Sequence, residues 1–196
     1  ETAEITVLEK SGYVSYANCG LPYYVGGVIE KEESLLLQTP QSLWKRFRLD
    51  VRTGSEVLRI DTAAKQVDVI NHANSEEYSL AYDYLIYSPG AAPIRPQIPG
   101  VERALSLRNV EDEKKMFDVV THTPKNAVVA GGGFIGVEMA ENLTHRGIKT
   151  SLVEAVDQVL APLDSEMVTF VHNELKSKGI DLQLGSALSS IEEKTV

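Results

Sequence analysis

The spacing of apolar and polar positions changes character about halfway along the chain. Ile5-Thr6-Val7-Leu8-Glu9 reads as an apolar strand ending in an acid. Residues Glu56 to Ile60 and Gln66 to Ile70 alternate apolar and polar, and the turn-like Asp61-Thr62-Ala63-Ala64-Lys65 between them predicts a hairpin. A third strand is predicted over Tyr82–Ser88, running into Pro89-Gly90, and a short helix over Gln41–Arg48. Residues 91–100 hold three prolines and predict an irregular crossing.

Beyond Asn109 the pattern becomes regular. A helix is predicted from Asn109 to Val120, with Asn109 as N-cap and acids in its first turn. A buried strand (Ala127–Ala130), a helix (Ile135–Arg146, stopped by Gly147) and a strand (Lys149–Glu154) follow. Asp164 then caps a helix reaching Lys178, Gly179 stops it, and Ile180–Leu184 is a last strand. Strands alternating with helices imply an α/β fold with a parallel, doubly wound sheet.

Composition narrows the class. The 196 residues are 43% hydrophobic and 24% charged, as in ordinary globular proteins, and the length suits one large domain or two small ones. A net charge of -9 and a pI near 5.0 argue against nucleic acid or an anionic membrane as partner. No apolar run approaches the ~18 residues of a membrane span, and nothing resembles a signal peptide. One cysteine rules out an internal disulfide and fits a reducing cytoplasm. The four scattered histidines lack metal-site spacing, so no metal is expected. Opening on Glu1 and stopping after Ser190-Ile191-Glu192-Glu193-Lys194-Thr195-Val196, the chain reads as a piece of a longer protein.

That cysteine, Cys19, lies in Ser15-Tyr16-Ala17-Asn18-Cys19-Gly20-Leu21-Pro22-Tyr23. A lone cysteine is usually a small buried hydrophobe. This one sits in a polar turn between a strand and a helix start, where a thiol is accessible. Main-chain N–H groups at a helix start also favour the thiolate. The expectation is a redox cysteine working without a second one.

Gly131-Gly132-Gly133-Phe134-Ile135-Gly136 is G-x-G-x-x-G, following a predicted strand and opening a predicted helix. Glu154 ends the next strand 18 residues after Gly136, which completes the context of a dinucleotide fingerprint. Gly131 makes the tight turn, Gly133 admits the pyrophosphate and Gly136 lets helix and strand pack closely. The helix N-terminus offers N–H groups to the phosphates. Glu154 would accept from the ribose hydroxyls and repel a 2′-phosphate, favouring NADH while leaving NADPH possible. Glu138 is either a solvated helix acid or a group near the nicotinamide. Glu9 also ends a strand, but a matching glycine loop would lie upstream of residue 1.

Together, Ser15-Tyr16-x-Asn18-Cys19-Gly20-Leu21-Pro22-Tyr23, Ser88-Pro89-Gly90-Ala91 and Gly131-Gly132-Gly133-Phe134-Ile135-Gly136-Val137-Glu138 resemble the single-cysteine branch of the pyridine nucleotide-disulfide oxidoreductases, in particular coenzyme A-disulfide or persulfide reductases. The resemblance covers essentially the whole chain. It implies two Rossmann-like, glutathione-reductase-like segments, the first with an inserted β-meander. Residues 1–108 would be part of an FAD-binding domain, and 109–196 the first half of an NAD(P)-binding domain. It also implies a cytoplasmic homodimer using FAD and NAD(P)H, with coenzyme A disulfide or persulfide as substrate. Cys19 would be the nucleophile, with Ser15 and Asn18 beside the substrate. Glu9 and Lys10, Val57 and Ser88-Pro89-Gly90 would meet the flavin nucleotide. Gly131, Gly133, Ile135, Gly136 and Glu154 would hold the nicotinamide dinucleotide, Phe134 would shield the flavin, and Glu138 would orient the nicotinamide. Phe47 stands where some relatives carry a lysine, flanked by Lys45, Arg46 and Arg48 as either a solvated face or a phosphate clamp.

Two rivals stay open. In an NADH oxidase or peroxidase the cysteine cycles through a sulfenic acid; such relatives tend to carry Ser before it, so Asn18 and Leu21-Pro22-Tyr23 lean towards coenzyme A. A nucleotide-binding module without redox chemistry would bind NADH whatever stood at position 19. A two-cysteine reductase is excluded, because no resolving thiol exists.

Overall fold

The computed structural model describes residues 3–122 and 124–193. In chain order its elements begin with β1 (Ile5–Glu9), β2 (Ser15–Tyr16), α1 (Leu21–Gly26), β3 (Leu36–Gln38) and α2 (Pro40–Phe47). Then come β4 (Leu49–Thr53), β5 (Ser55–Asp61), β6 (Gln66–Asn71), β7 (Glu76–Ala81) and α3 (Val110–Thr121). The last are β8 (Asn126–Ala130), α4 (Phe134–His145), β9 (Lys149–Val153), α5 (Ser165–Ser177) and β10 (Asp181–Gln183). They form two compact units: Glu1–Ala17 with Glu33–Ala91, and Asn18–Glu32 with Ala92–Val196.

In the first unit, β1 pairs in parallel with β4, so Glu9 lies opposite Thr53 at the carboxyl end of both strands. Strands β2 and β3 form a short antiparallel pair. Helix α2 starts on a reciprocal cap: the Thr39 hydroxyl accepts from the Ser42 N–H, and the Ser42 hydroxyl accepts from the Thr39 N–H. The predicted hairpin is β5–β6, and β7 extends it into the expected meander. The third strand is a correction. It covers Glu76–Ala81, not Tyr82–Ser88, because its ladder begins with Glu76 opposite Asn71 and ends with Ala81 opposite Gln66, where β6 itself begins. Beyond Ala81 the chain is irregular, and Tyr84 and Ile86 stand 95% and 88% exposed.

In the second unit, β10, β9 and β8 form a parallel sheet in that order, as the strand–helix alternation predicts. One buried cluster joins Ala140, Leu152, Val159, Leu160, Val168, Leu175 and Ile180, and a second joins Val25, Val120, Met139, Leu143 and Ile148. Asn109 caps α3 as predicted, its side chain accepting the Asp112 N–H at 2.9 Å. Asp164 stands at the N-cap position of α5 but makes no side-chain cap bond. Gly147 and Gly179, at φ +80° and +82°, end α4 and α5 in the left-handed conformation that suits glycine.

Helix α1 belongs to this unit. A methyl on Gly26 would meet Asn142 Oδ1 of α4 at 2.1 Å, so the absence of a side chain lets the two helices close. The Val25 carbonyl accepts from Arg146 Nε. Tyr24 stacks on Phe117 of α3 with ring centroids 4.7 Å apart, and the Arg146 guanidinium lies over the same ring. Among the described residues, no helix is long and apolar enough to cross a membrane.

Candidate nucleotide and thiol site

The glycine loop runs from the end of β8 into α4. Gly131 has φ +103°, a conformation L side chains rarely adopt. A methyl on Gly136 would meet the Gly131 carbonyl oxygen at 1.9 Å, so helix and loop approach as closely as glycine allows. A methyl on Gly133 would meet nothing within 4 Å. The loop is therefore open above Gly133, where α4 begins with no side-chain cap and its first N–H groups lie free for an anion. Phe134 and Ile135 are exposed beside this opening, and Glu138 is half-buried one turn further along α4.

Glu154, just past β9, folds over the loop. Its Oε2 accepts the Gly132 N–H at 2.6 Å and its Oε1 accepts the Val156 N–H at 3.1 Å. Burial alone would raise its pKa, but the N–H groups of Gly132, Val156 and Ala155 outweigh that and hold it below the ordinary carboxylate value. It is thus a fixed anion at neutral pH.

Cys19 is exposed, on a 3₁₀ turn over Asn18–Gly20 that leads directly into α1. With its amide oriented to match its neighbours, Asn18 donates to the Arg108 carbonyl and accepts from Arg108 Nη1, each at 3.3 Å. Arg108 Nα in turn donates to Asp112 in the first turn of α3. The thiol turn is thus tied to the start of α3, while α1 behind it is locked on α4. Arg108 was missed by the sequence reading; its one sequence signal is that it precedes the Asn109 cap.

Ser15, Glu9, Lys10, Val57 and Ser88-Pro89-Gly90 fall in the first unit. Ser15 pairs with Gln38 across β2 and β3. Glu9 Oε1 accepts the Ser11 N–H at 2.6 Å at the end of β1. Lys10 pairs with Glu56 at 2.6 Å, and Glu56 also meets His72 Nε2 at 2.8 Å. Val57 is exposed on β5, and Ser88-Pro89-Gly90 is an exposed irregular stretch. Arg46 lies over Phe47 and Arg48 over Trp44, so both arginines engage rings of α2.

The family model for pyridine nucleotide-disulphide oxidoreductases matches residues 1–196. The chain belongs to this family. It is 32% identical over 190 residues to the coenzyme A disulfide reductase of Staphylococcus epidermidis, covering 96% of this chain and 43% of that protein. The crystal structure of reduced Bacillus anthracis CoADR-RHD shares 46% identity at a TM-score of 0.94, over 97% of this chain and 35% of that one. A NAD-dependent persulfide reductase from A. fulgidus is 34% identical at a TM-score of 0.91, over 97% of this chain and 36% of that one. The water-forming NADH oxidase from Lactobacillus brevis, bound to NADH, is 28% identical at a TM-score of 0.90, over 98% and 43%. The chain thus spans less than half the length of the curated relatives it matches.

With that membership come the cofactors FAD and NAD(P)H. The second unit fits a nicotinamide dinucleotide on its own geometry: open loop, uncapped helix start and fixed acid. For FAD the first unit offers Glu9 at the carboxyl end of β1. No second strand–glycine loop–helix unit accompanies it among the described residues.

Proposed function

We propose that the intact protein is an FAD-dependent NAD(P)H oxidoreductase that reduces coenzyme A disulfide or persulfide, or a related low-molecular-weight disulfide, through Cys19. The observation that carries this reading is an exposed lone thiol on a turn braced by the same unit that holds the dinucleotide loop. Residues 1–108 supply part of the FAD-binding domain and 109–196 the first half of the NAD(P)-binding domain, in a cytoplasmic homodimer. The bound cofactors supply two electrons as hydride.

The residues of this chain do the rest. Gly131, Gly133 and Gly136, with the N–H groups of Phe134 and Ile135, hold the pyrophosphate. Glu154 takes the ribose hydroxyls, which sets the preference for NADH. Glu138 orients the nicotinamide and Phe134 covers the flavin. Glu9, Lys10, Val57 and Ser88-Pro89-Gly90 contact the flavin nucleotide. The Cys19 thiolate attacks one sulfur of the disulfide, expelling one thiolate that takes a proton from solvent and leaving a mixed disulfide. Two electrons and a proton then release the second thiol and restore the thiolate. Ser15 and Asn18 line the substrate beside it.

The likeness to the NADH-bound oxidase supports a second reading, in which Cys19 cycles through a sulfenic acid and oxygen or peroxide is the acceptor. Anaerobic turnover of the intact protein with NADH and coenzyme A disulfide, beside Cys19→Ser, separates the two. Thiol release that disappears in the variant carries the first reading. NADH consumed only after oxygen or peroxide is added carries the second. NADH binding with no turnover under either condition would leave a nucleotide-binding module.

A further inference from the structure

The glycine loop is held by a clamp that the fingerprint does not contain. Leu160 N–H donates to the Gly132 carbonyl at 2.7 Å. A methyl on Gly132 would meet the Val159 side chain at 2.8 Å, so Val159 sits directly against the loop backbone. Leu160 has φ +48°, a left-handed conformation that a branched side chain adopts only when its surroundings impose it. The residue before it is anchored from α5: Val159 N–H donates to His172 Nε2 at 3.2 Å. A main-chain N–H can only donate, so His172 Nε2 must present its lone pair, with the ring neutral and its proton on Nδ1.

We propose that neutral His172 is a positioning residue for the dinucleotide site. It acts through Val159 and Leu160 to fix Gly132, and its protonation loosens nucleotide binding. This rests on the dinucleotide reading of the glycine loop. Protonation would put a second donor against the Val159 N–H, and the clamp would lose its anchor. Burial disfavours the charged ring, and Lys176 one turn along α5 adds to this, so His172 titrates below an ordinary histidine. The facing segment also carries Asp157 and Asp164. Glu154 at its start is committed to Gly132 and Val156 and stays ionised across the range of interest.

The test is calorimetric titration of the intact protein with NAD⁺, a ligand that cannot reduce it, between pH 5 and pH 8. Wild-type affinity should be flat above pH 7 and fall at least fivefold by pH 5 in a one-proton transition. His172→Gln, whose amide oxygen can accept the same N–H, should match wild type within twofold at pH 7.5 and lose the acid-side fall. His172→Ala should bind at least fivefold more weakly across the whole range. If His172→Gln falls with pH as wild type does, the proposal is overturned while the loop remains a nucleotide site. If wild type binds no NAD⁺ at any pH, the dinucleotide reading falls and the proposal falls with it.

Discussion

The two units bury their side chains very differently. Among the described residues of the first unit, the buried hydrophobics are Leu35, Val67 and Val69, spread over one loop and one strand. The second unit gathers two clusters of five or more around a three-stranded parallel sheet. The difference follows from how far apart in sequence the partners lie. Strands β8 and β9 are each followed at once by a helix, α4 or α5, that packs on the same sheet, so local pattern and final packing agree. The first unit is assembled from short ladders, and that of β1 with β4 joins partners some forty residues apart.

Truncating one core side chain in each unit tests that contrast and has the largest expected effect. Leu152 is fully buried at the centre of its cluster, and Leu152→Ala should cost about 4 kcal/mol by chemical denaturation. Val69→Ala removes less volume from a thinner core and should cost about 2 kcal/mol. The single tryptophan, Trp44, lies on α2 of the first unit, whereas α3, α4 and α5 dominate the helical signal of the second. Tryptophan emission and far-UV circular dichroism therefore follow the two units separately. Equal costs for the two variants would mean that burial does not distinguish the units.

The same contrast explains what the sequence could reveal. The βαβαβ order, the Asn109 cap, the hairpin and the exposed cysteine turn were all readable, because each is decided within a few residues. The apolar run Tyr84-Leu85-Ile86-Tyr87 has strand chemistry, but a strand also needs a ladder, and β6 begins at Gln66, opposite Ala81. The docking of α1 on α4 brings Gly26 to Asn142 across more than a hundred residues, beyond any local pattern. Glu154 was legible as an acid at a strand end, yet its bonds to Gly132 and Val156 were not. Arg108 and His172 carried no motif at all.

Charge gives the second test. In the first unit, Glu56 is held low by Lys10 and His72, and Asp61 mainly by the Ala64 N–H. Groups depressed in this way lose their stabilisation as pH falls. Glu113 in the second unit is the opposite case. It reads as an ordinary first-turn helix acid, yet it is fully buried and both carboxyl oxygens lack partners. Burial, then the nearby Glu32, push it up to about 7, against the pull of Lys114, which pairs with Glu32 at 3.0 Å. The folded protein keeps a proton there that the unfolded chain releases near pH 4.5. Stability is therefore lost as pH rises from about 4.5 to 7, by about 3 kcal/mol. Glu113→Gln should match wild type at pH 5 and exceed it by about that amount at pH 8. Parallel stability curves for the two proteins would refute the buried acid.

Smaller changes ask whether function and stability part company within the second unit. Gly133→Ala adds a methyl into open space, so the melting temperature should hold while NAD⁺ affinity falls at least tenfold, about 1.4 kcal/mol. Unchanged affinity would mean that no phosphate approaches that backbone.

The two helix starts of this unit give the finest comparison. Asn109 accepts the Asp112 N–H, one of the four N–H groups that a helix start leaves without partners. Asp164 occupies the equivalent place on α5 with no such bond, so it acts through charge on the helix dipole alone. Asn109→Ala should therefore cost about 1 kcal/mol and be insensitive to salt. Asp164→Ala should cost less than half of that, and the loss should shrink as ionic strength screens the charge. Equal, salt-independent losses would show that Asp164 makes a true cap bond in solution, and that α5 begins as tightly as α3.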